Sequence, residues 1–587
     1  MQTITKHLTD IVLQVVQELD LAQFLSSTDE VQITKNTQFG DVQSNHAFQI
    51  AKAKRCNPRD VANQMKSELE KNGDIQKMCT EISVAGPGFL NFRFSNTWLA
   101  EKLKEQVMDA HCGIQQTGNS KTMVIDYSSP NVAKRMHIGH MRSTIIGSAI
   151  DKLYRASGWN VVADNHIGDW GTQFGKLIVS WRESVDMEHF QEDAIGELER
   201  LYVLFGQTET PERLEMARQE TAKLQSGDPE NTALWKNFID VSLAEFNSVY
   251  SRMGIHFDVI LGESFYNPQL AGVVDSLVNL QVAENSNGAV VIRYPADSTP
   301  KMLSDTALVI QKQDGAFLYG TTDLATLEYR IAEWKPDEIV YVTDVRQQLH
   351  FQQVFAGWKK WRLSRGETVE MLEHPQLTHV WFGMLKLPEG AMSTRQGNVI
   401  RLVDLLDEAV HRAKIVADEK SADLSLEDRE KIAEAVGLSA IRYADLSQNP
   451  QTDVVFEWDK ILSLEGNTAP FLLYSYARAR GIQRKGGVEI PTVSTLEILE
   501  PTEKELAMLL LQFPMAVQNA QTSHRPNMLC EYLFDVASSF NRFYFANPVL
   551  TASEEQVKQA RLALVESMLR VMKKGLDILG LIALDRM

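Results

Sequence analysis

Residues 130 to 140 read Pro130-Asn131-Val132-Ala133-Lys134-Arg135-Met136-His137-Ile138-Gly139-His140. They follow the strand-like run Val124-Ile125-Asp126-Tyr127 and precede a helix whose apolar residues recur at Ile146, Ile150, Leu153 and Tyr154. Strand, loop, His-x-Gly-His and helix, in that order, read as a nucleotide-phosphate site. The first amide N–H groups of a helix lack intrahelical partners and lie at its positive pole, so they attract phosphate oxygens. His137 and His140, three apart, share a helix face. Their ring N–H groups can donate to the charge that builds on an α-phosphate during in-line displacement. Gly139 leaves room for a ligand to approach the backbone, and Gly158 reads as the helix stop.

The chain of 587 residues is too long for one core and suggests three or four domains. A hydrophobic content of 44% and a charged content of 23% are ordinary for a soluble globular protein. No apolar run is long enough to cross a bilayer, and the first twenty residues carry acids and amphipathic spacing in place of a signal-peptide core, so a cytoplasmic location is expected. The four cysteines, Cys56, Cys79, Cys112 and Cys530, form no C-x-x-C pair, which argues against a disulfide framework or a structural zinc. A net charge of −18 sits awkwardly with nucleic-acid binding. Basic clusters do occur, at Lys52, Lys54, Arg55 and Arg59 and at Arg478, Arg480, Arg484 and Lys485, and on charge alone each reads as a solvated helix face.

The first 110 residues or so carry a helical start, a polar loop at Gln38 to Asp41, a helix from Pro58 to Leu69, and the run Val84 to Phe94, which reads as an edge strand; a small α+β module is expected. Strands then alternate with helices over about 120–185 and 305–365, at Val161 to Ala163, Leu308 to Gln311 and Glu338 to Asp344, with a helix through Trp361. This α/β alternation predicts a doubly wound parallel sheet of Rossmann type, with ligands outside the carboxyl ends of its strands. A polar, mostly helical stretch at about 185–257 reads as an insertion. After about residue 405 the strand signals vanish. Helical spacing over Asp404 to Lys420, Leu426 to Gly437, Ala469 to Lys485, Lys504 to Asn519, Leu529 to Ala546 and Glu554 to Leu579 predicts an all-α bundle.

A second motif, Gly390-Ala391-Met392-Ser393-Thr394-Arg395-Gln396-Gly397-Asn398-Val399, lies where the chain passes from the sheet to the helical part. With the histidine loop it resembles the paired motifs of class I aminoacyl-tRNA synthetases. Nearly the whole chain is similar to the arginyl-tRNA synthetase family, through Asp126 to Lys134, Asn165-His166-Ile167-Gly168-Asp169-Trp170-Gly171-Thr172-Gln173-Phe174-Gly175, Leu261 to Ser264 and Glu465 to Pro470. The resemblance implies a tRNA-contacting α+β domain at 1–112 and a Rossmann-type catalytic domain at 113–404 with the insertion inside it. A helical connecting region at 405–460 and an all-α anticodon-binding domain at 461–587 complete the division. It implies two steps: the arginine carboxylate attacks the α-phosphate of ATP, giving arginyl-adenylate and pyrophosphate, and a terminal ribose hydroxyl of tRNA(Arg) then takes the arginyl group. ATP would act as a substrate with Mg²⁺. No protein-bound structural metal, no membrane partner and a monomeric protein are expected.

The amino-acid pocket agrees with that substrate. A guanidinium wants planar charge-assisted acceptors, which Asp323 and Glu263 can supply, while Tyr319 adds a hydroxyl or a ring face. By position alone Asp323 is equally an acid in a first helical turn. Gln347 follows the strand ending at Asp344, where a doubly wound sheet contacts its ligand. Asn131 and Ser128 resemble residues that hold the α-amino and carboxylate ends of arginine; read alone, they are turn residues. The resemblance assigns ATP to Pro130, Gly139, His140, Met384, Met392 and Ser393, with Phe382-Gly383-Met384 as the adenine-contacting strand. Unpaired bases stack on aromatics, which makes Tyr474, Tyr476, Phe540, Phe543 and Tyr544 candidates, most of them also fitting a core.

One departure stands out. Class I enzymes usually carry Lys-Met-Ser-Lys at the second motif, and this chain has Ala391-Met392-Ser393-Thr394. The resemblance to arginyl enzymes that lack the usual lysine implies that Lys134, before the histidine motif, takes its part on the triphosphate with Arg395 in support, the plain alternative being a solvated loop charge. Among rivals, a cysteine enzyme is disfavoured because no Cys/His zinc cluster appears. Enzymes for large aliphatic residues are disfavoured by the missing editing insertion. Another nucleotidyltransferase would not need the helical third, and a non-catalytic relative should have lost the histidines.

Overall fold

In the computed structural model of the chain, residues 3–25, 30–34, 38–295, 301–387, 390–391, 400–487 and 492–587 are described. Four strands make the central sheet, in the order Gln376–Phe382, Glu338–Asp344, Thr122–Asp126, Asn160–Asp164, and all are parallel. Ile339 pairs with Val124 on one side and Leu377 on the other. Met123, Val124, Ile125, Ile339, Val340 and Val342 are fully buried, since helices cover both faces, as a parallel sheet requires.

The chain leaves Thr122–Asp126 towards Asn160–Asp164 on one side and returns to Glu338–Asp344 on the other. The loops leaving the carboxyl ends of those two central strands therefore open into one crevice. Beneath it, the buried Arg330 of helix Tyr319–Trp334 donates to Asp126 at 2.7 Å and to Asp164 at 2.8 Å, pinning that helix to two strand ends. A buried ion pair cut on one side costs about 3–5 kcal/mol, so this contact sets the helix in place.

Several elements differ from the sequence reading. Leu308–Gln311 is not in the parallel sheet; it pairs antiparallel with Ala289–Ile292 in a separate three-stranded sheet. A short apolar run carries no mark of its partner's direction, and the partner decided it. Val84 to Phe94 spans a hairpin of Cys79–Ala85 and Phe89–Phe94, and the second strand is interior, because the three-residue strand Val42–Ser44 occupies its other side. The helix beginning at Leu426 runs past Gly437 to Leu446. Gly437 is there because a Cβ would come within 2.8 Å of the Val410 backbone, where helix Leu402–Lys420 crosses. The span Lys504 to Asn519 divides into Pro501–Leu510 and Phe513–Thr522, with Pro514 opening the second helix.

The insertion folds as four helices, Met187–Glu192, Ala194–Gln207, Pro211–Gln225 and Pro229–Arg252, whose Ile195, Leu198, Leu201 and Phe238 share one core with Val132 and Ala133 of the motif loop and with Phe174 and Ile178. The last long helix, Glu555–Leu579, packs against the helix that begins with the histidine motif. Among the described residues no helix is long and apolar enough to cross a membrane, and no cluster of three or more His, Cys, Asp or Glu could hold a metal ion.

Candidate active site

The motif helix, Ile138–Ala156, starts on its own histidines. His137 is the N-cap, and its Nδ1 accepts the Gly139 N–H at 3.0 Å; the His140 Nδ1 accepts the His137 N–H at 3.1 Å. The two rings close a reciprocal capping box of imidazoles, their centroids 4.0 Å apart. With Nδ1 an acceptor in each ring, a neutral imidazole carries its proton on Nε2, so each presents a donor away from the backbone. Burial, then the Lys134 charge, hold His137 below the ordinary histidine range; burial and the neighbouring His137 bring His140 down to about 3. Both are neutral donors at pH 7. Gly139 lines the crevice and has a second reason to be glycine: a Cβ there would lie 2.7 Å from the His137 ring.

The loop before this helix is strained. Ser128, Ser129 and Ala133 hold φ of 73°, 48° and 60°, left-handed values at about 1 kcal/mol or more each. The surrounding hydrogen bonds hold them. Ser143 Oγ accepts the Ser128 N–H at 2.9 Å, Asn165 Oδ1 accepts the Ser129 N–H at 3.1 Å, and Ser242 Oγ accepts the Ala133 N–H at 3.0 Å. The Ser128 hydroxyl shares a hydrogen bond of 2.7 Å with Tyr250 and accepts one from Thr144 at 2.8 Å. It is thus engaged inside the protein. Pro130 is buried and its carbonyl accepts the Gly168 N–H at 3.1 Å, while Asn131 bridges Gly168 from the exposed side. The Asn165 to Gly175 motif is therefore chiefly the scaffold behind the loop.

A cavity of about 360 Å³ opens between the two central strand ends, lined by Ser128, Asn131, the two histidines, Gln347 and Met384 among others. Met384 leaves strand Gln376–Phe382, and its N–H is accepted by Asp453 at 2.8 Å. Arg142, 1% exposed on the motif helix, donates to the Gly383 carbonyl at 2.7 Å and to Asp445 at 2.7 Å. The histidine helix and the Gly383 segment are thereby one unit. Ile400 and Leu402 also pair with the start of the motif helix and the loop before it, Ile138 N donating to Ile400 O at 3.2 Å and Leu402 N to Met136 O at 2.9 Å. Met392, Ser393, Thr394 and Arg395 lie outside the described residues.

Glu263, Tyr319 and Asp323 gather beside the crevice instead of lining it. Glu263 opens helix Glu263–Asn279, and Tyr319 opens Tyr319–Trp334 with Asp323 one turn on. The sequence run Tyr319 to Asp323 reads as the end of a strand opening a helix, but residues 312–318 separate Tyr319 from Leu308–Gln311, and it is 71% exposed. Burial, with Asp169 and Asp323 close by, pushes Glu263 up to about 8. Asp169 is tied to Ser264, accepting its N–H at 2.8 Å and its hydroxyl at 2.6 Å. His350, which sequence reasoning missed, meets Asp323 through Nε2 at 2.5 Å. Its signal was faint: a histidine one turn after Gln347, at the start of helix Gln348–Ser364.

Lys134 is exposed on the outer side of the loop, its ammonium 4.6 Å over the Tyr202 ring of the insertion. Arg135 anchors the same loop to the insertion through Asp193, and its N–H is accepted by Glu199 at 2.7 Å. In the helical bundle Tyr476, Phe540 and Phe543 are buried, whereas Tyr474 and Tyr544 are 38% and 36% exposed. Phe545, not singled out from sequence, is 77% exposed, and Arg478 lies over all three exposed rings.

Residues 102–458 match the family described as tRNA synthetases class I (R), catalytic domain. Residues 3–94 match the arginyl tRNA synthetase N terminal domain, and 472–587 the DALR anticodon binding domain. The chain is similar to the arginine–tRNA ligase of Fusobacterium nucleatum subsp. nucleatum, 42% identical over 100% of both chains, and to that of Crocosphaera subtropica, 39% identical over 96% of each. Among solved structures it resembles the arginyl-tRNA synthetase of Plasmodium falciparum, with a TM-score of 0.82, 27% identity and 100% of both chains covered. The arginyl-tRNA synthetase of Thermus thermophilus, at 24% identity with 100% of both chains covered, shares the fold with a TM-score of 0.79.

Proposed function

The chain belongs to the arginyl-tRNA synthetase family and charges tRNA(Arg) with L-arginine using ATP; on that premise we propose how its side chains divide the work. An arginine carboxylate oxygen bonds to the α-phosphorus of Mg²⁺-bound ATP as the bond to the pyrophosphate oxygen breaks, giving arginyl-adenylate. A terminal ribose hydroxyl of the tRNA then attacks the arginyl carbonyl, and AMP leaves. His137 and His140 stabilise the first transition state as neutral Nε2–H donors, each Nδ1 being occupied by a backbone N–H. Lys134, aided by Arg395, meets the charge developing on pyrophosphate. Pro130, Gly139, Met384, Met392 and Ser393 form the nucleotide's bed.

The observation that carries the amino-acid assignment is the carboxylate pair Glu263 and Asp323, with Tyr319 next to them, beside the crevice that holds the histidines. Burial and the nearby Asp169 and Asp323 disfavour the ionised form of Glu263, and a guanidinium relieves it. Asn131 and Gln347 hold the arginine main-chain end. Ser128 contributes by keeping Tyr250 and Thr144 in register, its hydroxyl being spent on them. Lysine or citrulline would leave a carboxylate unmatched, a discrimination of up to about 10⁴–10⁵ that needs no editing domain. At the other end, Tyr474, Tyr544 and Phe545 around Arg478 offer a stacking face for unpaired anticodon bases.

The test is exchange of pyrophosphate into ATP with each of the twenty amino acids, with and without tRNA. Exchange near background with arginine alone, rising when tRNA(Arg) is added, is the expected result. Strong exchange with a different amino acid overturns the pocket assignment.

A further inference from the structure

A second cavity, of about 420 Å³, shares no lining residue with the nucleotide crevice. It lies where the motif helix, the end of Pro229–Arg252, helix Leu426–Leu446 and the carboxyl end of Glu555–Leu579 meet. Four cations line it, Lys152, Arg252, Arg442 and Lys573, and two of them converge. Arg442, 4% exposed, donates from Nη1 to the Gly580 carbonyl at 2.8 Å and from Nη2 to the Met253 carbonyl at 2.9 Å. Lys152 comes from the motif helix. A Cβ on Gly580 would collide with Arg442 Nη1 and lie 3.0 Å from Lys152 Nζ, so the two charges converge on one point.

No carboxylate pairs with either cation among the described residues. Asp577, the carboxylate in the cavity wall, is held by Lys573 at 2.5 Å. Asp151, next to Lys152, is held by Arg155 at 2.5 Å, and Arg252 by Asp407 and Glu434. The carbonyls that meet Arg442 belong to two helix ends and offset part of one charge. Lys152 has no carboxylate within ion-pair distance among the described residues. Burial and the Arg442 charge draw it down to about 8 against the weaker opposing pull of Asp151 and Asp577, and burial draws Arg442 down to about 10.

We propose that this cavity binds a small tetrahedral oxyanion of the phosphate class between Lys152 and Arg442. A guanidinium fork and an ammonium are the donors such an anion takes. The Ser439 hydroxyl, which accepts the Ile582 N–H at 3.2 Å, keeps its own proton for a further hydrogen bond. Bound there, the anion ties the helix that starts at the motif histidines to the last helix of the chain.

The test is thermal unfolding of the full chain against inorganic phosphate, with chloride matched for ionic strength. A saturable rise in midpoint of about 2 °C or more is expected. Lys134→Ala, which removes the cation proposed to meet the nucleotide's phosphates, should keep the rise, and Lys152→Ala should lose it. Lys152→Glu sets a carboxylate against Arg442, so it should ignore phosphate and, without phosphate, unfold above Lys152→Ala. If Lys152→Ala fails to fold, Lys152→Gln gives the same readout with the chain length kept. An equal rise in wild type and the Lys152 variants shows only general salt stabilisation; that result, no saturable rise, or a loss confined to Lys134→Ala each overturns the site.

Discussion

The Nε2 of His350 lies 2.5 Å from Oδ2 of Asp323, so one oxygen of this carboxylate is already oriented by an imidazole from the next helix. Burial works against a charged ring, but the Asp323 hydrogen bond and charge outweigh it and raise His350. Behind it His379, its Nε2 2.7 Å from Thr343 Oγ1, is drawn down to about 4 by burial and by His350. The pocket side of Asp323 is thus left with one oxygen to offer.

Asp323→Asn keeps the shape and removes the charge. Arginine binding should weaken by about 1.5–3 kcal/mol, read as a rise in KM for arginine in tRNA-dependent exchange. His350→Ala should raise the same KM by about tenfold with kcat held, and His350→Gln should restore part of the loss. The first-turn position that the sequence allowed for Asp323 is not where it sits, one turn into its helix and paired with His350, so unchanged arginine kinetics in Asp323→Asn would leave it that pairing alone.

Arginine binding should depend on pH through Glu263. Its carboxyl holds a proton up to about 8 in the empty pocket, and a guanidinium favours the ionised form, so binding releases that proton. Apparent affinity should therefore fall as pH drops below about 8, by up to about tenfold per unit, and level off above it. Glu263→Gln should flatten that limb; a profile identical to wild type would remove Glu263 from the pocket.

For the histidines, His140→Ala should lower kcat for adenylation by about 10² or more with little change in KM for ATP. Because burial and the neighbouring His137 bring His140 down to about 3, protonation of that ring should cost no rate between about pH 6 and 8. Gly139→Ala, which pushes a methyl into the His137 ring, should mimic a His137 loss in a folded protein, as circular dichroism would verify. A loss seen wholly in KM would make these rings ground-state binders.

Lys134→Ala should cost roughly 10² in adenylation at saturating ATP, and adding Thr394→Lys in the same chain should recover part of it. Tyr202→Leu removes the ring that the ammonium rests on and should cost less, about threefold. Activity of Lys134→Ala within about threefold of wild type would mean that another cation meets the pyrophosphate.

What the sequence determined here was what local chemistry can specify. Strand, loop and helix around Pro130 to His140 followed from apolar runs and a cap position, and the parallel strands Glu338–Asp344 and Thr122–Asp126 from apolar runs buried on both faces. The two motifs and their missing lysines could be read directly, because they are sequence facts. Tertiary structure decided everything that depends on a distant partner. Leu308–Gln311 joined another sheet because Ala289–Ile292 lay beside it, Gly437 continued a helix because Leu402–Lys420 crossed it, and Gly139 was needed for the His137 ring. Periodicity carries no information about which element arrives from 27 or 303 residues away, the separations at which His350 reaches Asp323 and Arg142 reaches Asp445. Such contacts, and the pKa shifts that burial imposes with them, exist only once the chain has closed around them.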